Sequence, residues 1–83
     1  MKKIDEAIAV FQRTVELYPA SANAHDSLGD GYENAGKLDM AEQAVRKAIE
    51  LGASDPKLDE YKDHLKRLTA EASAASGKTG ASK

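Results

Sequence analysis

No cysteine occurs in this chain of 83 residues. Disulfides, thiolate zinc sites and thiol catalysis are excluded at once. Tryptophan is also absent, and phenylalanine occurs once. A core must therefore be built from Leu, Ile, Val and Ala, with three tyrosines to help. Neither sign of charge prevails: the net charge is −2, which gives no electrostatic case for nucleic-acid binding. No apolar run approaches the ~20 residues needed to cross a bilayer. Asp5 and Glu6 interrupt any apolar stretch behind Lys2 and Lys3, so no signal peptide is expected and a cytoplasmic location is. A chain this short allows one small domain, which buries only about 60% of its unfolded surface and is marginally stable.

What is present is a half-repeated block. Lys3-x-Asp5-x-Ala7 leads to Val15-Glu16-Leu17. At a spacing of 34, Lys37-x-Asp39-x-Ala41 leads to Ile49-Glu50-Leu51. The apolar residues keep step: Ile4 with Leu38, Phe11 with Val45, Val15 with Ile49. Self-similarity at this period marks a helical repeat protein, in which no single unit buries its own apolar face.

The periodicity predicts about four helices. The first runs from Ile4 to Leu17 and stops before Pro19. Ser21 reads as the N-cap of a second, Ala22 to Ala35, with Leu28 and Tyr32 inward. Gly36 sits where a left-handed residue is wanted. Gly29 and Gly31 each cost roughly 1 kcal/mol inside this helix, so they argue for close helix–helix approach. The third helix spans Leu38 to Leu51 and is closed by Gly52. Asp55-Pro56 restarts the chain into a fourth, Pro56 to Ala70. Leu58, Tyr61, Leu65 and Leu68 form its one narrow apolar stripe, as a terminal cap needs. Residues 73–83 hold only Ala, Ser, Gly, Lys and Thr and read as a disordered tail after a domain of residues 1–72.

His25-x-x-Leu28-Gly29-x-x-Tyr32, followed by Ala41-x-x-x-Val45 and Ala48, resembles the tetratricopeptide repeat (TPR). Ala7-x-x-x-Phe11 and Pro19 resemble the second half of a preceding unit. The resemblance implies an all-α, short antiparallel helical-hairpin array of right-handed superhelical type. Its parts are the second helix of a repeat (residues 4–18), a full repeat (22–55) and a capping helix (56–70). Three features depart from the pattern: His25 replaces the large aromatic, Val45 replaces Phe, and the closing proline is missing at Ala53. The stretch Leu17 to Gly29 is also similar to repeats appended to bacterial serine hydrolases.

The resemblance implies a peptide groove on the second helix, lined by Asn23, Asp26, Ser27, Asp30, Glu33 and Asn34. Its three acidic residues would repel a carboxylate terminus and favour a neutral or basic segment. Lys62 and Lys66 fit (i, i+3) pairing with Asp59 and Asp63 better than a basic wall. His25 falls where a packing residue is wanted. With only His25 and His64 as imidazoles and no His-x-x-x-His, no metal site is expected. Gly77-Lys78-Thr79 lacks the upstream glycine of a phosphate loop, since Ala72 stands in its place. Ser27, Ser54 and Thr14 have no adjacent base, so neither catalysis nor a cofactor is expected.

The first helix is apolar on more than one side, through Ile4, Ile8, Val10, Phe11, Val15 and Tyr18. At the place of Ile8, the later helix carries Glu42. The free end of an array should be polar outside, and fewer than ~3 repeats are marginal. An association face of Ile4, Ile8, Phe11, Val15 and Tyr18 is therefore expected. The resulting reading is a non-catalytic protein-interaction module or scaffold. The alternatives are a C-terminal accessory segment of a larger enzyme, such as a serine hydrolase, and a self-assembling homodimer.

Overall fold

A computed structural model describes the backbone of residues 2–81 and the side chains of residues 3–74. Four helices follow one another: α1 (Lys2–Leu17), α2 (Ala22–Asn34), α3 (Leu38–Leu51) and α4 (Leu58–Ala81). The described residues contain no strand. Each helix packs on the next in the chain, with α2 against α3 the most extensive pairing.

The helix ends obey local chemistry. Ser21 Oγ accepts from the backbone N–H of Ala24 at 3.1 Å and caps α2. At the other end Gly36 takes φ +77°, a left-handed conformation that suits glycine. Its N–H donates to the Glu33 carbonyl at 3.0 Å, and Lys37 N–H to the Tyr32 carbonyl at 2.9 Å. Those two bonds satisfy carbonyls that the helix leaves open. Asp55 Oδ1 accepts from Lys57 N–H at 2.8 Å, so the chain turns through Pro56 and Lys57 and α4 starts at Leu58, two residues later than expected.

The core forms where the glycines let backbones meet. A Cβ at Gly29 would stand 2.6 Å from Val45 Cγ2, and one at Gly31 would stand 3.0 Å from Phe11 Cδ2. One cluster joins Ile8, Leu28, Tyr32, Ala41, Ala44, Val45 and Leu68 across all four helices. A second joins Ala22, Ala48 and Tyr61. Tyr32 spends its hydroxyl as acceptor for Gln12 Nε2 at 2.9 Å, and Tyr61 donates to Asp55 Oδ2 at 3.4 Å. Among the described residues, every buried side-chain polar atom has a partner.

One expectation needs correction. α4 does not end near Ala70 but runs on to Ala81, through most of the segment read as a disordered tail. Ala70, Ala72, Ala74 and Ala75 are strong helix formers and no proline stops them. Residues 82 and 83 lie outside the described residues.

Candidate functional site: the acidic face of α2 and the open face of α1

Helices α2 and α4 run alongside each other, and their facing side chains form a charged seam. His64 is 5% exposed and stands at its centre. Its Nδ1–H donates to Asp26 Oδ1 at 2.7 Å and its Nε2–H to Glu33 Oε1 at 3.1 Å. Asp30 Oδ1 lies 3.2 Å from the same Nε2. A carboxylate only accepts, so both contacts are satisfied together when the ring carries both protons, as the imidazolium. Arg67 grips the same Glu33 with a fork: Nη2 to Oε1 at 2.8 Å and Nε to Oε2 at 3.3 Å.

These contacts set the titration of the cluster. The Arg67 bond, working against burial, holds Glu33 down at about 2. Burial pulls His64 down, but the hydrogen bonds to Asp26 and Glu33 outweigh it and the imidazole is raised above its usual 6.5. Asp30 is raised, first by burial and then by Asp26 and Glu33, although His64 opposes them.

Asp30, Glu33 and His64 bring ligand-type atoms within 4.8 Å of one another. Arg67 already holds the Glu33 oxygen that a cation would need, and its charge opposes one. The contacts themselves form an ion-pair network.

The residues expected to line the groove are divided by this seam. Asp26 and Asp30 line a shallow cleft of about 290 Å³ with Glu60, Asp63, His64 and Arg67. Asp30 and Asn34 line a second cleft of about 240 Å³ between α1 and α2, with Lys3, Ile4, Ala7, Phe11 and Gly31. Glu33 is tucked beneath Arg67, Asn23 is exposed, and Ser27 is half-buried outside both clefts. His25 is half-buried, and its ring donates from Nε2 to the Pro19 carbonyl at 3.0 Å rather than filling the core. Lys62 and Lys66 are exposed and, among the described residues, form no ion pair with Asp59 or Asp63.

His64 and Arg67 were missed as site residues, yet the period carries a signal for them. His64 follows Asp30, and Arg67 follows Glu33, by one repeat of 34. Equivalent helices of an array lie side by side, so opposite charges at that spacing become lateral neighbours.

On α1 the expected association residues face two ways. Ile8 is 8% exposed and lies in the core, with Ile4, Phe11 and Val15 packed partly against it. Tyr18 is 63% exposed, and Val10 and Leu17 are comparably open. The exposed large apolar residues here are thus Val10 and Leu17 on α1 and Tyr18 just past its end.

No protein-family model matches the chain, and no solved structure matches it. It is similar to the tetratricopeptide repeat domain-containing protein PYG7, chloroplastic, of Arabidopsis thaliana. The two are 32% identical over 68 residues, which cover 77% of this chain and 23% of that protein. The chain thus spans less than a quarter of that relative's length. That similarity and the four packed helices agree with a TPR-like fold. Among the described residues, no helix is long and apolar enough to cross a membrane.

Proposed function

We propose that the chain is a non-catalytic protein-interaction module with two docking surfaces. One is the open face of α1, and the other is the acidic cleft between α2 and α4. The observation that carries this reading is the exposure of Val10 and Leu17 on α1 and of Tyr18 directly after its end. Exposed apolar side chains gathered in one place mark an interaction surface, whereas scattered ones do not. The similarity to a TPR-domain protein supports protein partners in general.

The acidic cleft fits a neutral or basic segment. Asp26, Asp30, Glu60 and Asp63 line it against the two positive groups His64 and Arg67. An acidic terminus would meet repulsion there.

The test is titration of a fluorescein-labelled Lys/Arg-rich peptide and of an acidic peptide of equal length. Binding of the basic peptide alone, weakening from about 0.05 to about 0.5 M salt, is the expected result. Equal binding of both peptides, or no salt dependence, sinks the charge preference.

A second reading has its own support. The matched relative is several times longer than this chain, which favours a segment that docks on a larger parent protein through α1. Light scattering across a dilution series separates the cases. A dimer that dissociates on dilution makes the α1 face homotypic, and a monomer throughout reserves it for another partner.

A further inference from the structure

His64 is the buried polar residue among those described, and it faces charge from two helices. From α2 come Asp26, Asp30 and Glu33, at 2.7, 3.2 and 3.1 Å. From α4 itself come Glu60, Asp63 and Arg67, which share the cleft, and Glu71, which stands 3.8 Å from the Arg67 guanidinium. α3 meets this region with the uncharged Ala41 and Val45, both fully buried. Gly29 brings the α2 backbone to the edge of the ring, where a Cβ would stand 3.6 Å from His64 Cε1.

We propose that His64 is a proton-operated latch: as the imidazolium it fastens α4 to the acidic side of α2, and loss of its proton loosens that seam. A neutral imidazole has one N–H and one lone pair. In one tautomer the lone pair faces Asp26; in the other it faces Glu33 and Asp30. Either way a charge-assisted bond is replaced by a lone pair pointed at a carboxylate. Arg67 is then left to balance three carboxylates alone. α4 keeps its grip on α3 through Tyr61 and Leu68, which are almost fully buried, so the change is confined to the lateral seam with α2.

The net rise in the His64 pKa over its usual 6.5 supports this arrangement, and it fixes the sign. A group that binds its proton more tightly when folded stabilises the fold below its unfolded value. That stability is lost as pH rises through the folded value. The latch is closed in mild acid and opens toward alkaline pH. Its opening would free Asp26 and Asp30, acidic groups of the cleft assigned above to a basic partner, but the latch needs no partner to operate.

The test is an NMR titration of the full chain carrying His25→Gln, so that a single imidazole is followed. The expected result has two parts. The His64 midpoint lies above that of the same chain in urea. Amide protection factors in α4 also fall at least roughly tenfold as pH passes that midpoint, the equivalent of one charge-assisted hydrogen bond. Asp26→Asn lowers the midpoint. A midpoint at or below the denatured value overturns the latch. So does a raised midpoint with unchanged protection in α4. Neither readout involves a ligand, so failure here is separate from failure of the peptide-binding reading.

Discussion

Val10 and Ala44 hold the same place in the two half-repeats, yet Ala44 is 8% exposed in the core with α2 and Val10 is 61% exposed. The strip Ala41, Ala44 and Ala48 of α3 is buried. Of its counterparts on α1, Ala7 and Thr14 are half-buried and Val10 is exposed. We expect Val10→Glu to change monomer stability by less than about 0.5 kcal/mol, as exposed substitutions do. The same change should abolish any self-association seen by light scattering. Ile8→Ala, on the covered side of α1, should cost about 2–4 kcal/mol in urea unfolding. An α1 face that tolerates Val10→Glu without any loss of association is not the interface.

Gly29 is the position where α2 comes closest to α3. Gly29→Ala should be destabilising, although alanine is the better helix former by about 1 kcal/mol. The new methyl would sit 2.6 Å from Val45 Cγ2 and 3.3 Å from the Ala41 carbonyl oxygen, and the backbone cannot give way. Overpacking of this kind costs about 1–3 kcal/mol. The thermal midpoint should fall, and Val45→Ala in the same chain should recover part of the loss. A simple gain in stability would show that the helices can part without cost.

The helices were legible because their signals are local. Pro19, the Ser21 cap, Gly36 and Asp55 each act within a few residues, and the two glycines announced close packing. The repeat period shows which helices stand alike, through apolar residues and through charge alike. Read for charge, the same spacing pairs Glu33 with Arg67 and Asp30 with His64. What spacing alone could not give is depth. The inward turn of Ile8, and the seam between α2 and α4 that engages Asp26 and Glu33, arise from tertiary packing. The continuation of α4 to Ala81 was missed because a segment with nothing to bury was read as coil, while alanine favours helix without packing.

Removing residues 73–83 should leave the folded core intact. Leu65, Leu68 and Glu71 make the last described contacts of α4 with the core and its ion pairs, and Ser73 and Ala74 are exposed. The urea midpoint of the shortened chain should stay within about 0.5 kcal/mol of the full chain, with a loss of circular-dichroism signal that matches the helical residues removed. Cutting further, before Glu71, should lower stability, because Arg67 then loses one of its partners. A large loss from the first truncation would place the domain boundary beyond Ala72.

Glu33 and Arg67 fix how the fold responds to acid. The Arg67 hydrogen bond lowers the Glu33 carboxyl from its usual 4.5 to about 2, against the opposing effect of burial. A group depressed in the folded state adds stability above its unfolded value and loses it as pH falls toward the folded one. Stability from this pair should therefore be full above about pH 4.5 and fade toward about pH 2. Asp30 works in the opposite sense: burial first raises its carboxyl, so its protonation in acid relieves strain on the seam. Glu33→Gln keeps the shape and removes the charge. It should cost roughly 1–3 kcal/mol at neutral pH, the range for a hydrogen bond to a charged group, and flatten the acid limb of thermal stability below pH ~4.5. Arg67→Gln should flatten the same limb, because it removes the cause of the shift. The double variant should lose less than the sum of the two, since each single change already breaks the pair. An acid limb unchanged in either single variant would assign acid sensitivity to carboxylates elsewhere on the chain.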